Sequence, residues 1–223
     1  MHPMRRITLT AILAAPLFGL CAPAVVWPQP AIAQVQQFAL TAADQADIAR
    51  ITQYLDAMKT LKAQFVQVAP DGQISRGTAW LARPGRMRFQ YDPPSPLLLV
   101  ADHGLVVFHD SQLDQTTNIP IGQTPLGLLL RDKISLSGDV TVTDFRRAPG
   151  QIEVTVVRTD SPGDGSLTLD FTDDPLTLRG WTVVDQQRRA TRVTLYNIQT
   201  GVPVDGSLFT FIDPRFFGNN QPH

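Results

Sequence analysis

Cysteine is almost missing from this chain. Its single copy, Cys21, falls in an apolar stretch near the start, so the rest offers no disulfide and no thiolate metal site. That remainder must be held by its core alone. Glutamate occurs once, at Glu153, and lysine three times, at Lys59, Lys62 and Lys133. Thr, Val, Leu and Gly are plentiful, a balance that favours strands over helices. Charge is scarce too. Of 19 basic residues two, Arg5 and Arg6, lie in the leader described below, which leaves 17 against 20 acidic ones and a net charge of −3. That balance gives no footprint for nucleic acid and no strong attraction to an anionic membrane. Catalytic signatures are missing as well. There is no Gly-x-Ser-x-Gly elbow, no His-Glu-x-x-His helix and no phosphate-cradling loop. His103 and His109 form a weak metal candidate, since His103 sits in a turn. Asp160 to Gly165 imitates half a calcium loop, with Pro162 where a ligand belongs and Phe171 in place of the closing glutamate. It reads as a hairpin turn, as do Asp173-Asp174-Pro175 and Asp213-Pro214. No cofactor and no metal is expected.

The leader has three parts. Met1 to Arg6 is short and basic, Ile7 to Ala24 is mostly apolar, and Ala31-Ile32-Ala33 gives a small-x-small cleavage pattern. Ala22-Pro23-Ala24 is a second candidate. The expected organisation is a signal peptide at 1–33 and a single domain at 34–223. Pro16, Gly19 and Pro23 break the apolar run, which is marginal in length for a membrane span. The arginine pair is a weak match to a twin-arginine signal, so either general or twin-arginine export is possible. Leu20 stands where a lipoprotein signal needs a small residue, so Cys21 is assigned to the discarded leader. About 190 residues remain, enough for one domain with a sizeable core.

Ile48, Ile51, Leu55, Met58, Leu61 and Phe65 recur every three or four residues and predict one helical face. Thr41 is its N-cap, with Asp44 in the first turn. Strands are then predicted at 63–68, 74–82, 87–91, 97–101, 105–109 and 115–119. They resume at 140–147, 152–158, 167–172, 178–184 and 191–198. Turn chemistry separates them, as in Pro70-Asp71-Gly72 and Arg83-Pro84-Gly85. Roughly eleven strands is too many for a flat sheet. The expected fold is mainly β with a few helices: an unclosed antiparallel half-barrel with an apolar inside. Between the two strand groups, Thr124 and Pro125 open a short leucine-rich helix through Leu126, Leu129 and Leu130. It is either a core plug or a lid, with Gly122 and Gly127 loosening it.

The stretch Gly77 to Tyr91, with Arg83-Pro84-Gly85 at its centre, resembles the signature of the outer-membrane lipoprotein carrier (LolA) family. Leu61 to Phe65 is similar to that family's helix-to-strand join. Thr124-Pro125-Leu126 is similar to its mid-chain helix start, and Phe209 to Pro214 to its closing motif. The resemblance implies a non-enzymatic periplasmic chaperone, exported by a cleaved signal peptide. It implies acylated lipoproteins as cargo, an inner-membrane ABC transporter as donor and an outer-membrane receptor (LolB), where present, as acceptor. It also implies that Arg83, which the residues alone allow equally as a solvated turn arginine, points toward the cavity and hydrogen-bonds the lid. Leu81, Met87, Phe89, Tyr91, Leu97, Leu99 and Trp181 are the expected cavity residues, with Leu126, Leu129 and Leu130 above them. Arg86 and Arg88 should face water on the other side of their strand, and the prolines should guard against edge pairing. A monomer is expected. Two rivals stay open: a lipid-sensing regulatory module of the same fold, and a secreted lipid hydrolase, for which no nucleophile–base pair is found.

Overall fold

The computed structural model describes residues 39–212; the leader, Cys21, Asp213-Pro214 and His223 lie outside the described residues. Helix α1 (Ala42–Ala57) starts in a capping box, in which the Thr41 side chain accepts from the Asp44 N–H and Asp44 answers at the Thr41 N–H. Its buried face is Ile51 and Leu55, with Ile48 half-buried beside them. The helix ends at Ala57, earlier than the periodicity predicted. Leu61 and Phe65 belong to strand β1 (Thr60–Val68), where Leu61, Ala63 and Phe65 alternate inward. The three-and-four spacing carried on past the helix because a strand also returns Leu61 and Phe65, four residues apart, to one face.

The remaining strands are β2 (Ile74–Ala82), β3 (Arg86–Tyr91), β4 (Leu97–Asp102), β5 (Leu105–Asp110) and β6 (Gln115–Pro120), then β7 (Val140–Ala148), β8 (Gln151–Arg158), β9 (Ser166–Thr172), β10 (Thr177–Val184) and β11 (Ala190–Thr200). They form one antiparallel sheet in the order β6-β5-β4-β3-β2-β1-β11-β10-β9-β8-β7. β1 and β11 join two meanders, and β6 and β7 are left as edges, so the half-barrel does not close. The inward residues of both meanders and the buried face of α1 share one apolar core. β3 lies between β2 and β4, so its neighbouring prolines shape turns and guard no edge.

A second cluster covers the outer face. Phe209, on a 3-10 turn (Gly206–Phe209), is buried with Ala82 and Val100, and Trp80, Leu98, Val204, Leu208 and Phe211 pack around them. Arg86 and Arg88 therefore do not simply face water. The Arg86 guanidinium stands 5.5 Å over the Phe209 ring, and Arg88 Nη1 donates to the Leu208 carbonyl at 2.9 Å. His109 is on the same face, with its ring 5.2 Å from that of Phe211.

Residues 121–130 cross the open side of the half-barrel. They form two 3-10 turns, Ile121–Gln123 and Pro125–Leu130, in place of the predicted α-helix. Thr124 does cap the second, accepting from the Gly127 N–H at 3.2 Å. Gly127 tightens this segment rather than loosening it: an added Cβ would lie 2.2 Å from the Ile121 carbonyl oxygen, whereas one on Gly122 meets open space. Gly127→Ala is expected to cost about 1–3 kcal/mol and Gly122→Ala less than about 0.5 kcal/mol, measured by denaturant unfolding.

Candidate lipid-binding cavity

Under the lid lies a cavity of about 350 Å³. Its floor is an aromatic wall in which Phe89, Tyr91 and Trp181 line the cavity and the buried Phe65 packs behind them. Phe65 and Phe89 have ring centroids 4.8 Å apart, Tyr91 meets Phe65 edge-on at 5.2 Å, and Trp181 meets Phe89 at 6.0 Å. Such pairs add modestly to their area burial and fix the rings in place. Met87, Phe89, Tyr91, Leu99 and Trp181 line the cavity from the sheet, and Leu126 and Leu130 from the lid. Val106, Phe108, Ile119, Val183 and Val193 line it too and were not foreseen. Their strands were predicted, and alternation alone would have placed them inward. Leu81, Leu97 and Leu129 are not in the lining. Leu81 and Leu129 are buried in the core below, Leu129 completely, and Leu97 packs against that core.

Arg83 does not reach into the cavity. It sits just beyond β2, 6% exposed, between the end of α1 and the end of the lid. Nε donates to the Arg131 carbonyl at 2.7 Å and Nη2 to the Asp132 carbonyl at 2.8 Å. Nη1 donates to the Leu55 carbonyl and, at 3.1 Å, to that of Met58. The last carbonyls of a helix have no partner within it, and a cation there also meets the negative end of the helix dipole. The adjoining turn adds a backbone bond, Gly85 N–H to the Leu130 carbonyl at 2.7 Å. Gly85 has φ +75°, a left-handed conformation that glycine adopts without strain. The Arg83-Pro84-Gly85 turn thus holds three successive carbonyls, 130, 131 and 132. Asp56 completes the junction by accepting from the Ile134 N–H at 2.7 Å and from Arg83 Nη2 at 3.3 Å. These contacts, the Ile134 N–H first, hold its carboxyl below the usual range. Nothing in the spacing of the sequence marked Asp56.

The other end of the lid is held separately. The Ile121 N–H donates to the Gly104 carbonyl at 2.9 Å, and Arg158 Nη1 donates to the Gly122 carbonyl at 2.9 Å. Arg158 also bridges Asp160 at 2.9 Å, so the Asp160–Gly165 turn anchors an arginine. Asp173 has a similar part. With Asp47 it pairs Arg50 and Arg147, tying α1 to the second meander. His103 and His109 stand at opposite ends of β5. The first is exposed beside Asp102, and Nδ1 of the second lies 3.1 Å from Thr116 Oγ1.

Tyr91 brings a polar group into the cavity, donating from its hydroxyl to Gln67 Oε1 at 2.9 Å. Burial pushes its phenol from 10.0 up to about 12. A raised value means the folded state keeps the proton longer than the unfolded state. The associated stability is complete below pH 10 and is lost as the pH rises toward 12, a change of roughly 2–3 kcal/mol. Tyr91→Phe is expected to flatten this arm of the stability–pH profile, and an unchanged arm would place the phenol in water.

The chain matches the model of the family "Outer membrane lipoprotein carrier protein LolA" over residues 56–212. It is 31% identical over 175 residues to the outer-membrane lipoprotein carrier protein of Methylococcus capsulatus, covering 74% of this chain and 83% of that one. It is 32% identical over 185 residues to the protein of the same name from Pseudomonas fluorescens, covering 78% and 87%. Among solved structures, a LolA superfamily protein from Nitrosomonas europaea aligns with a TM-score of 0.40 at 8% identity, over 74% of this chain and 97% of that one. With an open eleven-stranded half-barrel, a leucine-rich lid and a family match running from the end of α1 to Ile212, this chain belongs to the LolA family of outer-membrane lipoprotein carriers.

Proposed function

We propose that this chain is a periplasmic chaperone that accepts acylated lipoproteins from an inner-membrane ABC transporter. It shields their acyl chains in the cavity and hands them to an outer-membrane receptor. The observation that carries the reading is the cavity between an aromatic floor and Leu126 and Leu130 of the lid. A volume near 350 Å³ is at the small end of ligand sites, which span about 300–1,000 Å³. Cargo with several chains must therefore push the lid aside. Each buried methylene is worth about 0.8 kcal/mol, so one fully buried long chain would approach roughly 12 kcal/mol and leave very slowly. A lid that competes for the same surface lowers that retention. Arg83 then acts as the latch: its bonds to residues 131 and 132 exist only with the lid down, while those to residues 55 and 58 keep it poised.

The chain is expected to be a monomer that binds an environment-sensitive apolar dye, with lipoprotein acyl chains displacing it. A protein that binds no dye, or whose dye no acyl chain displaces, would contradict the reading. Co-purification of lipoproteins supports a carrier over a lipid-sensing module, and ester hydrolysis by the pure protein would point to the enzyme.

A further inference from the structure

The cavity is not apolar throughout, and its polar groups gather at one end. Strand register sets the depth. Met87 pairs with Leu81, and through it lies level with Leu61, near the end of α1. Phe89 and Tyr91 follow outward along β3, and Tyr91 is its last residue. Gln67 is the penultimate residue of β1 and faces the same side. Thr191, second in β11, pairs with Val183 at the matching rim. The deep end is thus Met87, Phe89, Val106 and Leu130, and the rim holds Gln67, Tyr91 and Thr191.

The bonding of these rim groups is one-sided. The Gln67 carbonyl oxygen is occupied by the Tyr91 hydroxyl at 2.9 Å, which fixes the amide so that its NH₂ is turned away from Tyr91. That NH₂ has no partner among the described residues, and neither does the Thr191 hydroxyl. Thr124, the other threonine of the lining, is committed to the lid, donating to the Ile121 carbonyl at 3.0 Å and capping Gly127. An amide donor beside an apolar cavity suits a ligand with an acceptor at the head of a hydrocarbon chain, such as a carbonyl oxygen.

We propose that Gln67, positioned by Tyr91, is a recognition site for the ester or amide carbonyl at the head of a bound acyl chain. The chain enters tail first toward Met87 and Val106, and its carbonyl stops at the rim. This rests on the reading of the cavity as an acyl site and adds to it a direction of binding and a preference for acyl groups over plain hydrocarbon. Transfer of a carbonyl from water into an apolar site without a donor is unfavourable, so the single amide discriminates between the two.

The test is dye displacement from the full chain by hexadecane and by methyl hexadecanoate. The unaltered protein should bind the ester more tightly than the hydrocarbon, by about three- to tenfold, the range of one hydrogen bond. Gln67→Met keeps the volume and removes the donors, so it should abolish that preference while hexadecane still binds; it also takes the acceptor from the buried Tyr91 hydroxyl, so the unfolding midpoint should fall modestly. Tyr91→Phe should reduce the preference only in part. Equal loss of both ligands in Gln67→Met, or a preference that survives it, overturns the proposal. If neither lipid displaces the dye, the acyl-cavity reading itself fails, and that outcome is distinct from the first two.

Discussion

Arg83→Leu is expected to lower the unfolding midpoint by roughly 6–20 °C. The guanidinium is buried and serves four carbonyls and the Asp56 carboxylate. Removing one partner from such a junction costs about 3–5 kcal/mol, and each kcal/mol moves the midpoint by about 2–4 °C in a domain of this size. The loss falls on two elements together, the end of α1 and the end of the lid. Cargo acceptance should survive, because losing the bonds of the closed lid shifts the balance toward the open, loaded state. Hand-over to the receptor should slow, because closure no longer gains the bonds to residues 131 and 132. Arg83→Lys, which retains the charge but loses the fork geometry, should fall between. Arg86→Leu gives up only a contact with Phe209 on the outer face and should transfer cargo normally. Calorimetry and a two-step assay, release from inner-membrane vesicles and then transfer, check both halves. Normal transfer by a folded Arg83→Leu protein would reduce Arg83 to a structural cap.

The second large effect separates two leucines of the lid three residues apart. Leu126 is half-buried and lines the cavity, while Leu129 is fully buried in the core. Leu126→Asp should change stability by less than about 1 kcal/mol, because its carboxylate reaches water through the mouth. It should weaken acyl binding by roughly 30-fold or more, since the chain must then desolvate a charge. Leu129→Asp should show its loss in stability first. A charge forced into the core costs several kcal/mol, so the lid detaches or the domain unfolds before binding can be measured. Denaturant unfolding and dye displacement on both variants distinguish the cases. Equal behaviour would mean that the two leucines share one environment.

The strands were legible because alternation is a local signal, repeated in Ile152-Glu153-Val154-Thr155-Val156 and on β11, with turn residues between. What escaped was set by contacts far apart in sequence. Leu61 and Phe65 satisfy both a helical and a strand spacing, and only their pairing with Thr200 and Leu195 on β11 decides between them. Arg86 and Arg88 alternate outward as expected, but their neighbours Leu208 and Phe209 lie about 120 residues later. Gly127 looked like a source of looseness because its close approach to Ile121 appears only when the segment folds. At the site, the resemblance pointed to an Arg83–lid contact. The Asp56 bridge and the two α1 carbonyls were invisible, since each depends on where the helix stops.

The claim at the centre of this account is that cargo acyl chains lie under the lid, against the aromatic floor. Site-specific photo-crosslinking to a triacylated lipoprotein tests it most directly. One probe replaces Leu126, in the cavity wall, and the other replaces Tyr196, exposed on the opposite face of the sheet. Lipoprotein adducts are expected from position 126 and none from position 196. Adducts from position 196 with none from 126 would place the cargo on the outer face and contradict it.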